Sequence, residues 1–324
     1  MCDLASLDPA TYVASPLHSS TRVFPETNCY TDLWIELLHA CGFEPAAAMG
    51  FCLSVDFEAD QWTFFKPPTS ELELLYGIDV HEMQVYRHLI DHICDQLAHG
   101  RPLIIEVDGF HLPDTAGLSY NQAHQKTAIA VVSLDRLSER LVYFHGRGLH
   151  EVKGSDYRNL LRVDSAVSPD VLPPYVELVR FDAGEPLSGP GLRAVVRELL
   201  SQRLKRLPGK NPWSMFGEWL AAELPAIIGS SAERYHAYAF ATIRQAGAAF
   251  ELAQSFIEWA LPGEPAAGPA SAALRHQVEG AKVLLLKLAR QRVFDTTKTI
   301  EQLAAAYDEA MGALKSVFPA PHGN

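Results

Sequence analysis

The chain has 324 residues, 48% of them hydrophobic and 20% charged, with a formal net charge of −12. That length suffices for one large core or two smaller ones, and two are expected. No apolar run approaches the roughly 20 residues of a membrane helix, and the negative balance argues against broad nonspecific nucleic-acid binding, which needs Lys and Arg to neutralise phosphates, while leaving room for a local basic patch.

The N-terminal "MCDLASLDPATYVAS" has no basic segment followed by an apolar one. It does not read as a secretory signal, so a cytoplasmic location is expected. Residues 28–41 place Leu33, Trp34, Leu37, Leu38 and Cys41 on one helical face, with Gly42 as the stop. "VDFEADQWTFFKPP" reads as strand and loop, and "SELELLYGID" as a short helix starting at Ser70. Residues 82–99 predict a helix with Tyr86, Leu89, Ile90, Ile93 and Leu97 inward and His88, His92, Asp95 and His99 outward. The period then changes. "RPLIIEVD", "KTAIAVVSLD", "RLVYFHG" and "YVELVRFD" are β-rich runs between turn formers, as expected of an antiparallel sheet.

From "AGEPLSGPG" onward the pattern is helical, over 190–206, 230–261, 269–291 and 297–316. In the longest, Tyr235, Ala239, Thr242, Ala246, Phe250, Ala253 and Ile257 form the buried stripe, with His236, Arg244 and Glu251 opposite, toward a cleft or water. The reading is an α+β domain with an antiparallel sheet, residues 1–185, followed by an all-α helical bundle domain, 186–324. The five cysteines are odd in number, all in the first third, and show no C-x-x-C spacing. That pattern suits a reducing compartment and points to neither a disulfide framework nor a zinc site.

Cys29 carries the chemical question. If Asn28 caps the helix, Cys29 lies in its first turn, where unpaired amides and the positive dipole end favour a thiolate and could hold an oxyanion. A nucleophilic thiol also needs a base, commonly a histidine distant in sequence near the start of a strand. His124 precedes "QKTAIAVVSLD" and fits that position. A third polar group would orient its ring, either His145 from "YFHG" or Asp108 at the end of "PLIIEVD". The bland alternative is a buried, inert cysteine.

Four segments occur in order: "NCYTDLWIELLHACGFEPAAAMGF", "GRPLIIEVDGFHLPD", "HQKTAIAVVSLD" and "LVYFHG". Over about residues 26–165 they resemble the N-terminal domain of the butirosin biosynthesis protein H acyltransferases, and more closely a bacterial family of chains of this length. The resemblance implies a papain-like cysteine domain that moves an acyl or aminoacyl group from the phosphopantetheine thioester of an acyl or peptidyl carrier protein to a small amine acceptor. It implies Cys29 as nucleophile, His124 as base and Asp108 as the strand-end aspartate. The departure is "YFHG": where that family has aspartate then proline, this chain has His145 and Gly146. No bound metal or redox cofactor is implied, since the carrier brings its own phosphopantetheine. A cysteine hydrolase (peptidase, amidase or thioesterase) and a noncatalytic binding module are the alternatives.

Asn28, Trp62 and His111 are the candidates for lining the substrate site, with core packing the default for Trp62 and an ordinary turn equally open for His111. His88 and His92, four apart with Asp95 following, have a metal-compatible spacing but read as a solvated face. Arg203, Lys205, Arg206 and Lys210 form a cationic run in an acidic protein. A solvated helix end is the default for it, and a docking patch for an acidic carrier protein is the functional alternative.

Overall fold

The computed structural model describes residues 2–165 and 171–318. Helix α1 spans Cys29–Ala40, and a 3-10 stretch at Pro45–Ser54 leads to a short hairpin, β1 Phe57–Glu58 and β2 Gln61–Trp62. Next come α2 Thr69–Tyr76, β3 Asp79–Glu82, α3 Leu89–Ala98, β4 Leu103–Asp108, β5 Lys126–Asp135, β6 Arg140–His145, β7 Gly148–Lys153, α4 Gly154–Leu161 and β8 Val176–Arg180. The remaining helices are α5 Gly189–Leu204, α6 Pro212–Ile227, α7 Ala232–Ala239, α8 Gln245–Ala260, α9 Ala267–Ala289 and α10 Thr297–Val317. A π-helical turn at Phe240–Arg244 joins α7 to α8.

The chain divides into two compact units. The first comprises Met1–Ser19, Asn28–Pro45 and Pro68–Leu187. Its six strands run in the order β3-β8-β4-β5-β6-β7, with every pairing antiparallel. Ile105, Val107, Ile129, Val131 and Tyr143 belong to one core with Ile93 of α3 and Tyr157 of α4. Helix α1 packs on β5 and β6, and Leu33, Trp34, Leu37 and Leu38 are fully buried. The two cores follow from the alternation of side chains along β4 and β5, which gives each face its own apolar row.

Strand β7 was not anticipated. It pairs with β6 from His145↔Gly148 to Arg140↔Lys153, across a two-residue turn whose first residue, Gly146, has φ 52°. Glycine meets that positive-φ requirement without a Cβ clash. The helix expected over 82–99 begins only at Leu89, because Glu82 still pairs with Glu177 and the Met83 amide donates to the Val176 carbonyl at 2.8 Å. Tyr86 is therefore exposed. His92 is buried rather than solvated, with its ring edge-on to Tyr86 at 4.9 Å.

The leader holds a second surprise. Cys2 and Cys41 form a disulfide with Cα atoms 5.0 Å apart, which corrects the expectation of no disulfide. An odd count concealed one bonded pair beside three free thiols, Cys29, Cys52 and Cys94. A buried polar cluster fixes the leader on α1. The Glu36 carboxylate accepts from the Tyr12 hydroxyl, from the Ser15 amide at 3.1 Å and from His18 Nδ1, while His18 Nε2 lies 3.3 Å from Asp32. Burial disfavours the charged His18 ring, but its bonds to Asp32 and Glu36 prevail and raise its pKa to about 9.

The second unit comprises Ser20–Thr27, Ala46–Pro67 and Ser188–Asn324. Two stretches of the expected N-terminal domain therefore belong with the helices. Glu251 explains the first: it accepts the amides of Val23 at 2.8 Å and Phe24 at 2.7 Å and is buried, not turned to water. Trp62 explains the second. It is 2% exposed, with its ring edge-on to Trp213 at 4.8 Å and to Phe250 at 6.1 Å. Helix α6, which the sequence reading passed over, supplies Trp213. It starts where Asn211 Oδ1 accepts the Trp213 amide at 3.0 Å, with Pro212 at the first turn. Among the described residues no helix is long and apolar enough to cross a membrane.

Candidate active site

Helix α1 begins at Cys29 because Asn28 adopts extended backbone (φ −127°, ψ 154°) and its Oδ1 accepts the Thr31 amide at 2.9 Å. Asn28 is 2% exposed. Its side-chain oxygen caps the helix, so Asn28 serves the turn that presents Cys29. Cys29 is partly buried and meets the start of β5. Burial raises its thiol above the ordinary cysteine range; hydrogen bonding from the Ala128 backbone and the Thr127 side chain opposes this, as does the charge of Lys126, while Asp32 adds to the rise. Burial thus outweighs the helix start in this balance, which favours the thiol over the thiolate.

Asp108 closes β4 opposite Lys126 and organises the outer part of the site. Its Oδ2 lies 2.6 Å from His124 Nδ1, while its Oδ1 accepts the amides of Phe110 at 3.0 Å and Gln125 at 3.2 Å. Partial burial pushes this carboxyl up, but the His124 bond and the two amides outweigh it and hold it below the usual carboxylate range. The Phe110 ring stacks on His124 at 4.6 Å and 15°. The loop between β4 and β5 is closed at its base, where the Gly109 amide donates to the Gln125 carbonyl at 2.8 Å. Thr115 and Ser119 hydroxyls donate to the Gly109 carbonyl at 3.0 and 3.3 Å. A Cβ on Gly109 would meet Ser119 Oγ at 2.8 Å. The histidine side chain nevertheless stays 76% exposed. It stands three residues before Thr127, at most about 11 Å along the chain.

His145 does not orient His124. Both its ring nitrogens are engaged elsewhere: Nε2 lies 2.8 Å from Thr127 Oγ1 and Nδ1 lies 2.5 Å from Asp114 Oδ2. Tyr143 donates its hydroxyl to Asp114 Oδ1 at 2.5 Å. This second pair is largely shielded from solvent, with side-chain exposures of 14% for His145 and 8% for Asp114. Burial pushes Asp114 up, but its bond to His145, the charges of His145 and His150, and the Tyr143 bond together hold it below the carboxylate range.

Thr127, Asp114 and Tyr143 were missed in the sequence. Thr127 was within reach of inspection, as the second residue of a strand already read as leaving His124. Asp114 sits in an irregular loop with no periodicity to mark it. Glu177 of β8 was missed too; it is 5% exposed and accepts the hydroxyls of Tyr30 at 2.6 Å and Tyr175 at 2.8 Å. Tyr30 is the residue after the cysteine.

The remaining candidates separate by unit. His111 ends a 3-10 turn at Gly109–His111, edge-on to Phe110 at 5.1 Å. Trp62 is core of the helical unit, which overturns its substrate-binding role. In the cationic run, Arg203 turns inward and donates to Ser54 Oγ at 3.2 Å. Lys205, Arg206 and Lys210 are exposed, and Lys210 lines an open cavity of about 610 Å³ with Phe57, Asn211 and Trp219. Among the described residues no cluster of three or more His, Cys, Asp or Glu is placed to hold a metal ion.

The architecture is thus that of a two-part protein, an antiparallel α+β domain followed by a helical one. The chain belongs to the DUF1839 family: the DUF1839 N-terminal domain matches residues 13–181 and the DUF1839 C-terminal domain matches residues 190–316. No curated protein matches it.

Proposed function

We propose that this protein is a cysteine-dependent acyltransferase on a papain-like fold. It takes an acyl or aminoacyl group from the phosphopantetheine thioester of an acyl or peptidyl carrier protein and passes it to a small amine. The observation that carries this reading is the capped helix start of Cys29 meeting the same strand start that delivers the His124–Asp108 pair. The Cys29 sulfur adds to the thioester carbonyl, and amides at the start of α1, other than that of Thr31, steady the oxyanion. The carbon–sulfur bond to pantetheine breaks, pantetheine leaves as a thiol with the proton that Cys29 gave up, and an acyl-enzyme remains. An amine then attacks, His124 accepts its proton, and the Cys29 sulfur departs and takes that proton back as the thiol is restored. Asp108 holds His124 by Nδ1, which makes Nε2 the nitrogen that accepts the amine's proton.

The exposed residues Lys205, Arg206 and Lys210 would draw in an acidic carrier. The reading keeps the protein in the cytoplasm, where the Cys2–Cys41 bond would be open to reduction. Trapping thiols directly from cells tests that placement. The exposure of His124 favours a second reading, hydrolysis, because water reaches the same base.

The deciding experiment is the intact mass of the protein after incubation with acylated carrier proteins, with and without amines. A Cys29-linked acyl adduct that amines discharge faster than water supports transfer. Discharge by water alone supports the hydrolase. No adduct with any carrier would favour a noncatalytic module.

A further inference from the structure

A thiol that attacks a carbonyl must give up its proton, and the group that accepts it has to lie against the sulfur or one hydroxyl away. Helix α1 packs on β5, and Thr127 of that strand is the side chain whose hydrogen bonding favours the Cys29 thiolate. Its hydroxyl is 2.8 Å from His145 Nε2, and His145 is held from behind by Asp114, itself fixed by Tyr143. Because Asp114 can only accept at His145 Nδ1, that nitrogen carries the hydrogen and Nε2 presents a lone pair to the Thr127 hydroxyl.

We propose that Thr127 relays the Cys29 proton to His145, so that the shielded His145–Asp114 pair is the base for the first half-reaction and the exposed His124–Asp108 pair serves the second. This rests on the reading of Cys29 as a nucleophile. The S–H proton passes to the Thr127 oxygen as the Thr127 proton passes to His145 Nε2, and the freed sulfur electron pair forms the new carbon–sulfur bond. His145 is then an imidazolium paired with Asp114. When the bond to pantetheine breaks, the proton returns through the same hydroxyl to the departing sulfur. Nothing else is consumed. In this relay Thr127 exchanges the proton with the sulfur, whereas His145 acts through Thr127.

The charged and titratable groups around the relay are Asp32 of α1 and Lys126 of β5 at the sulfur, and Asp114, Tyr143 and His150 at the imidazole. None of these is altered in the test. Alkylation of Cys29 by iodoacetamide is followed by peptide mass against pH in the full chain, with Cys94 of the same protein as the internal reference. Thr127→Val keeps the β-branched shape and loses the hydroxyl, Thr127→Ser restores it, and His145→Gln removes the acceptor ring.

Both Thr127→Val and His145→Gln should lower Cys29 reactivity at about pH 7 by roughly tenfold, equivalent to moving the thiolate limb up by one pH unit. Thr127→Ser should return to the wild-type curve. The relay is overturned if Thr127→Val tracks the wild type, if Thr127→Ser is as slow as Thr127→Val, or if His124→Ala shifts the curve more than His145→Gln. Alkylation needs no acyl donor, so a failure of the acyltransferase reading would show separately, as the absence of an acyl adduct on a thiol that still alkylates.

Discussion

Two histidine–aspartate pairs stand within a few residues of Cys29's contacts, and their surroundings are opposite. His124–Asp108 is the outer pair, its imidazole largely in solvent and backed by the Phe110 ring. His145–Asp114 is the inner pair, almost sealed, with both ring nitrogens occupied. An exposed imidazole can receive a proton from a diffusing acceptor but adds little to stability. A sealed one is held in a single tautomer by a low-dielectric network whose disruption is costly. The same two side-chain types are thus suited to different work by burial alone.

The largest effects should appear in the kinetics. Losing either histidine should cost on the order of 10²- to 10⁴-fold in transfer, but in different steps. His145→Gln should slow the appearance of the acyl-enzyme, and His124→Ala should let it accumulate because the amine is no longer deprotonated. Time-resolved intact mass separates the two, and slowing of the same step by both variants would erase the distinction drawn between the pairs.

Stability should rank them next. Asp114→Asn breaks the sealed pair and should cost about 3 kcal/mol or more in urea unfolding, while Asp108→Asn should cost under about 1 kcal/mol. Gly109→Ala should fall between these, at about 1–3 kcal/mol, because the new methyl must displace Ser119. It should also perturb the outer pair and leave alkylation of Cys29 near the wild-type curve.

The smallest effect is a pH slope. Both aspartates have folded pKa values below their unfolded one, near 3.9, so the stability they add is complete above that value and is lost as pH falls through the folded one. The slope should diminish more in Asp114→Asn than in Asp108→Asn, because the outer carboxylate is screened by water. His18 sets the opposite limb. Its pKa is raised to about 9, so its contribution is complete below its unfolded value, near 6.5, and is lost as pH rises through 9. Unfolding midpoints measured from acid to alkaline pH would expose both limbs, and a flat alkaline limb would contradict the His18 assignment.

Periodicity and caps made much of this legible. Asn28 and Cys29, the central strands and the helical second half were all readable from apolar spacing, and Asp108 could be placed at a strand end beside His124. What escaped depends on contacts between distant residues. Trp62 reads the same in a strand whether it lines a site or packs on Trp213. His145 occupies the place of an orienting residue in the next strand, yet its partners come from a loop and from Thr127, which no spacing rule links to it. Helix α6 was hidden by its own start signal, since Asn211 and Pro212 resemble a loop until Phe216, Leu220 and Leu224 are counted as a stripe.

The bond between Cys2 and Cys41 joins positions 39 apart in sequence, and so turns the leader and α1 into a closed ring. Closing a ring of that size removes enough freedom from the unfolded chain to favour the folded state by about 4 kcal/mol at most. That ring contains Tyr12, Ser15 and His18 as well as Cys29, so their return to Glu36 and Asp32 becomes a search within a tethered loop instead of a free end. Cutting the ring leaves every contact of the folded state in place and enlarges only the number of ways to lose them.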